Sequence, residues 1–320
     1  MIAFGPVPSR RLGKSLGINN IPGKNCSYNC VYCQVGKTKN LLYQRREFFK
    51  PEDIFGDVQD LLIHAKENGE NIDFFTFVSS GEPTLDINLG SAIDLLKLLD
   101  YRVAVITNGS LIAQQAVQND LMKADYVSFK IDTIDAGIWH RINRPDTHID
   151  LTALLDNMVH FSAIYKGILT TETMVVDGVN SKSANIRDVS EFISNLRPEK
   201  AYIAIPTKPT AEANIKIPDE STINKAFQIF KEKIKHVEYL ISYEGNDFGY
   251  SGDIERDLLS ITSVHPMRLE SVRQLIYKSN SSWQLVKQLV KQDKIKEVEY
   301  EGNIFYIRSL PGNGMIEERV

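Results

Sequence analysis

The chain has 320 residues, room for one large domain and a small one. Hydrophobic residues make up 42% and charged residues 24%, as in an ordinary soluble globular protein, and no apolar run approaches the ~20 residues of a membrane span. The formal net charge of -4 excludes a broadly basic surface, so nucleic-acid contact requires a local basic groove.

In chain order, the first β-rich run is Lys14–Asn19. Every cysteine of the chain follows it: Cys26, Cys30 and Cys33. An odd count, with no charged-then-apolar leader ahead of Cys26, argues against disulfides and for a reducing, cytoplasmic setting. Three thiols within eight residues point to a metal. Zinc needs a fourth ligand, and the first histidine is the distant His64. Three thiolates can instead hold three corners of a [4Fe–4S] cube, leaving the fourth iron open to a small molecule.

Further strands are predicted over Asp73–Ser79, Arg102–Thr107, Asp125–Ile131, Gly167–Val175 and Lys200–Ile205. Helices are predicted between them over Pro51–Lys66, Ile87–Leu99, Leu111–Leu121, Leu151–Ile164 and Asn185–Leu196. Pro51 followed by Glu52 and Asp53 is a strong helix start. This alternation implies parallel strands with right-handed crossovers, an α/β fold built as a partial (β/α)6 barrel over residues 1–250. Ser221–Lys233 and Val237–Ser242 are candidates for a last helix and strand.

Parallel barrels carry their chemistry on the loops after the strands. Those loops hold the cysteines, then Ser79-Ser80-Gly81-Glu82-Pro83-Thr84, Thr107-Asn108-Gly109 and Asp132-Thr133, and last Pro206-Thr207-Lys208-Pro209. In Asp125–Ile131 the period-2 alternation puts Ser128 and Lys130 on one face with the following Asp132, aimed into the barrel. Lys130 and Asp132 read either as site residues or as a buried pair bracing the barrel. Arg10, Arg11, Arg141, Arg144 and Lys208 are candidates for an anionic-substrate site at the mouth. The six histidines carry no assignment.

From 251 the pattern changes. Helices over Ile254–Ser260, Arg268–Lys278 and Ser282–Lys291 precede strands Ile295–Tyr300 and Asn303–Arg308, which flank the turn Glu301-Gly302. That is the order of a winged helix, giving a small C-terminal domain over 251–320. Lys287 and Lys291 offer modest phosphate contact, whereas Glu297, Glu299 and Glu301 share one face and repel phosphate.

Cys26-x3-Cys30-x2-Cys33, with Tyr32 before the last cysteine, resembles the signature of radical S-adenosylmethionine (SAM) enzymes. Gly81-Glu82-Pro83 is similar to that family's second signature, with Ser80 in place of its usual first glycine. Gly5-Pro6-Val7-Pro8-Ser9-Arg10-Arg11-Leu12-Gly13 resembles an archaeal and bacterial group within the family, filed beside the wyosine-forming tRNA enzymes. The resemblance implies that Cys26, Cys30 and Cys33 ligate the cluster and that the open iron binds the methionine end of SAM. An electron from an external flavodoxin- or ferredoxin-type donor would cleave SAM, and the 5′-deoxyadenosyl radical would take a hydrogen atom from the substrate. Tyr32 would lie beside the adenine or pack under the loop. Gly81 and Glu82, next to Ser80, would offer backbone acceptors to the SAM ammonium, with Pro83 fixing the turn. Asn108, Ser128, Lys130 and Asp132 are further candidates for the same pocket.

The reading is a radical SAM enzyme with a single [4Fe–4S] cluster and no membrane partner. Its substrate is tRNA or, alternatively, a protein or peptide or a small anionic metabolite. A zinc-bound structural or nucleic-acid-binding protein is the non-enzymatic alternative; it leaves Gly81-Glu82-Pro83 unexplained.

Overall fold

The computed structural model describes residues 2–39, 41–241 and 244–309. Strands β1 (Ala3–Ser9) and β2 (Gly13–Ile18) form an antiparallel hairpin. Strand–helix units follow: α1 (Pro51–Glu67), β3 (Phe74–Phe77), α2 (Leu89–Lys97), β4 (Arg102–Thr107), α3 (Gln115–Leu121), β5 (Tyr126–Lys130), α4 (Ala136–Ile142), α5 (Leu151–Ile164), β6 (Ile168–Met174), α6 (Ser183–Leu196), β7 (Lys200–Ala204), α7 (Glu220–Lys233) and β8 (Val237–Leu240). The sheet runs from β1 to β8 in chain order, and all neighbours from β2 onward are parallel. The result is an eight-stranded α/β half-barrel.

All six strands of the expected barrel are present, and β8 extends them; Ser242, which was expected to end it, lies outside the described residues. The sequence reading missed β1. Pro6 and Pro8 donate no backbone hydrogen bond, so this segment can pair only as an edge, and its register slips between Phe4 and Val7. It also missed α4, a seven-residue helix capped by the Asp135 carboxylate.

Strand β3 is buried on both faces, as parallel strands under helices are. Phe75, Phe77, Phe129 and Phe161 anchor the main core, each contributing about 1.5–3 kcal/mol by leaving water. At Gly17 the Phe4 ring crosses the neighbouring strand so closely that an added Cβ would lie 2.1 Å from it. Only glycine admits that crossing.

The C-terminal segment comprises α8 (Ile254–Val264), β9 (Met267–Arg268), α9 (Leu269–Lys278), α10 (Trp283–Lys291), β10 (Ile295–Tyr300) and β11 (Asn303–Arg308). Glu301 and Gly302 turn the β10–β11 hairpin with φ of 49° and 68°, the two positive angles that a tight two-residue loop requires. Strand β11 also pairs with β9, giving a three-stranded sheet in the order β10-β11-β9. The core of this segment, with Leu258, Ile261, Leu275 and Leu289, takes in Phe4 of β1. The segment thus packs against the opening hairpin of the half-barrel. Glu297, Glu299 and Glu301 are exposed. No helix among the described residues is long and apolar enough to cross a membrane.

Candidate active site

After β2 the chain enters the cysteine loop, which three neighbours fasten. Leu42 N–H donates to the Cys26 carbonyl at 3.0 Å, and Val31 N–H donates to the Ile142 carbonyl at 2.9 Å, tying the loop to the end of α4. Glu82 N–H donates to the Asn25 carbonyl at 3.1 Å. At Gly81 an added Cβ would lie 1.5 Å from that same Asn25 oxygen. The glycine therefore admits the cysteine loop itself.

Cys26, Cys30 and Cys33 line one cavity of about 290 Å³ at the C-terminal ends of the strands. Each sulfur receives an N–H donor from a different residue. Lys24 Nζ lies 2.8 Å from Cys33 Sγ, Asn143 Nδ2 lies 3.4 Å from Cys30 Sγ, and Asn108 Nδ2 lies 3.7 Å from Cys26 Sγ. Burial pushes the Cys26 thiol up to about 11 and the Cys30 thiol up to about 12. Burial also raises Cys33, but the Lys24 ammonium, helped by the Val35 backbone N–H and Lys130, brings the net shift downward.

This donor set fits an iron–sulfur cluster. Three cysteines face a shared space, and N–H donors stand at the sulfurs, as thiolate ligands require. Among the described residues no three His, Cys, Asp or Glu side chains could together hold a single metal ion. A cluster makes no such demand, because it takes each thiolate at a different iron.

The remaining expected site residues divide. Ser80, Gly81, Glu82, Asn108, Tyr32 and Lys130 line the cavity. The Glu82 carboxylate is buried, which raises its pKa, and accepts from Thr84 Oγ1 at 2.7 Å, Asn108 N–H at 2.8 Å and Thr107 Oγ1 at 2.5 Å. It ties the loops after β3 and β4 together. Ser80 Oγ reaches the Ser263 carbonyl of α8 at 3.4 Å, linking the barrel to the C-terminal segment. Pro83 opens a short 3₁₀ turn, Pro83–Leu85, away from the cavity lining.

Ser128 and Asp132 also stay out of that lining. Ser128 is fully buried in the sheet. Asp132 sits behind Tyr32: it accepts the Tyr32 hydroxyl, Asn143 Nδ2 at 2.7 Å and Met174 N–H at 2.9 Å. Tyr32 is itself packed, with Lys130 Nζ 5.0 Å from its ring centre.

Of the two readings offered for Lys130 and Asp132, the bracing pair is not formed between them, because Lys130 pairs with another acid. Lys130 Nζ lies 3.0 Å from Glu172 Oε1, its register partner on β6, and Arg11 bonds the other oxygen. Against its burial, Lys130 and Arg11 hold the Glu172 carboxyl down at about 2.

The arginine group is split. Arg10, Arg11 and Lys208 line the cavity, whereas Arg141 and Arg144 are exposed outside it, with Arg144 paired to Glu212 at 2.7 Å. The sequence reading missed Lys24, Asn143, Glu172, Glu244 and His265. Lys24 lies two residues before Cys26, a legible signal; Glu172 stands in the run Thr170-Thr171-Glu172-Thr173, polar on both faces, which gives no alternation to single it out. Asn143, Glu244 and His265 reach the site through tertiary packing.

The model of the Radical SAM superfamily matches residues 20–187, just over half of the chain. A UPF0026 protein of Methanocaldococcus jannaschii is 47% identical over 311 residues, covering 97% of this chain and 96% of that protein. Among solved structures, a radical SAM methyltransferase from Sphaerobacter thermophilus superposes with a TM-score of 0.54 at 16% identity, covering 71% of this chain and 67% of that one. TYW1 with a lysine–pyruvate adduct bound superposes with a TM-score of 0.53 at 14% identity, covering 69% of this chain and 74% of that one. At these identities the two structures share the fold.

Proposed function

The chain belongs to the radical SAM superfamily and is a relative of the UPF0026 proteins, and we propose that it is an enzyme using a single [4Fe–4S] cluster to cleave SAM reductively. The observation that carries this reading is the opening of all three cysteines of the chain onto one cavity, beside the Gly81-Glu82 loop. Cys26, Cys30 and Cys33 would hold the cluster, which supplies one electron for breaking the sulfonium carbon–sulfur bond of SAM.

The chain's own residues would do the rest. Lys24, Asn108 and Asn143 hold the thiolates by N–H donation. Asp132 fixes Tyr32, so that its ring forms a rigid wall. The Glu82 carboxylate locks two loops so that Gly81 can face the cofactor. Lys130, which lines the cavity while paired to Glu172, would be the cation available to the SAM carboxylate. Val264 and His265 at the end of α8 add to the cavity wall.

Residues 251–320 are read as a small winged-helix domain and 1–250 as the barrel domain; 310–320 lie outside the described residues. Three helices followed by a hairpin support the winged helix. Its exposed Glu297, Glu299 and Glu301 disfavour tRNA as the substrate, since phosphate would meet carboxylates there. An external flavodoxin- or ferredoxin-type donor and a cytoplasmic setting complete the reading.

The test is reductive SAM cleavage. Anaerobic protein with dithionite and SAM should release 5′-deoxyadenosine, and Cys30→Ala should abolish both release and cluster. Release undiminished by Cys30→Ala would refute the ligand assignment.

A further inference from the structure

We infer that Arg10, Lys208 and His265 bind an anionic group, a carboxylate or a phosphate, of a small-molecule substrate, and that Glu244 occupies their place until that group arrives. The inference rests on the proposed function, because it assigns the substrate end of the same cavity.

The three side chains come from separate parts of the fold. Arg10 lies in the β1–β2 turn, Lys208 in the loop after β7, and His265 at the end of α8. They converge on one carboxylate. Arg10 Nη2 lies 3.0 Å from Glu244 Oε1, while Lys208 Nζ at 2.9 Å and His265 Nε2 at 3.0 Å meet Oε2. All four residues line the cavity. Lys208 is only 7% exposed, and its ammonium also lies 3.1 Å from the His265 ring.

Crowding such groups out of water is costly, and apolar packing would brace a wall more cheaply. Burial and the neighbouring cations hold both Lys208 and His265 below their ordinary pKa values, a perturbation that often accompanies functional sites. Donors on both oxygens of a carboxylate are also what a substrate carboxylate or phosphate requires.

Glu244 and Glu172 differ in how they are held. Glu172 sits within β6, with its backbone in the sheet ladder. Glu244 is outside any strand or helix, so no sheet ladder fixes its backbone, and on this inference its carboxylate gives way to the incoming anion. Arg10, Lys208, His265 and Glu244 line the same cavity as the three cysteines, so an anionic group held there lies in the space that the proposed cofactor also uses.

Calorimetric titration of the purified full-length protein with inorganic phosphate, and separately with malonate, tests this without SAM or reductant. Glu244→Gln keeps the side-chain shape and removes the occupying charge, so it should bind one probe at least about tenfold more tightly than the unaltered chain. If Glu244→Gln folds only when a probe is present, that dependence equally supports the site. Lys208→Met should lose the binding, and Lys208→Arg should restore part of it. Phosphate preference assigns a phosphate substrate, and malonate preference a carboxylate. Failure of folded Glu244→Gln to bind either probe more tightly, or full binding by Lys208→Met, would overturn the inference. If 5′-deoxyadenosine forms but no probe binds, only this inference falls. If probes bind but no cleavage occurs, the cofactor reading falls instead.

Discussion

Lys24 holds its ammonium 2.8 Å from the sulfur of Cys33, making it the charged member among the N–H donors at the three cysteines. A positive charge at that distance favours the more negative, reduced state of a cluster bound there. Lys24→Gln should therefore shift the cluster midpoint potential to more negative values, while Lys24→Arg should hold it near the starting value. An EPR-monitored redox titration reads the shift. An unchanged potential at full iron content would show that Lys24 has no electrostatic hold on the site.

Gly81 meets the Asn25 carbonyl so closely that alanine would have to displace one of the two loops. Overpacking of this kind costs about 1–3 kcal/mol. Gly81→Ala should lower the thermal midpoint and reduce the iron retained after anaerobic reconstitution. Wild-type stability together with wild-type iron content would contradict the contact.

Glu172 lies between Arg11 and Lys130, and its pKa falls from 4.5 to about 2. A carboxyl held low in the folded state stabilises it at pH above 4.5, and that contribution disappears as pH falls toward 2. Glu172→Gln leaves two half-buried cations short of their partner and should cost about 1–3 kcal/mol at neutral pH. The gap between variant and parent should close as pH drops through that window. Denaturant unfolding at a series of pH values checks it; a gap independent of pH would argue against the ion pairs.

Asn143 donates to both Asp132 and Cys30. Asn143→Ala leaves Asp132 short of a buried donor and should cost about 1–3 kcal/mol. Cluster spectra of the variant should also change if Cys30 is a ligand. Spectra identical to the parent would separate Asn143 from the metal site.

The cysteines were legible because their spacing is local: eight residues carry the whole donor set. The parallel barrel was legible from strand–helix alternation, and Pro51 marked the start of α1. Alternation along β5 correctly turned Lys130 into the barrel but did not supply its partner, because Glu172 arrives by register from β6. It also carried Asp132 into the lumen, whereas the chain leaves the strand at Lys130 and folds Asp132 behind Tyr32. Around the end of α4 the charged residues drew attention, yet Arg141 and Arg144 face outward while Asn143 between them is buried against the cysteine loop. His265 gave no local signal, since only the packing of α8 on the opening hairpin brings it to Lys208 and Glu244.

The most direct measurement combines iron and sulfide analysis of anaerobically prepared protein with EPR of its reduced form, with and without SAM. About four iron and four sulfide per chain are predicted, with a reduced-cluster signal that changes when SAM is added. Zinc as the sole metal, or a cluster signal indifferent to SAM, would contradict the account.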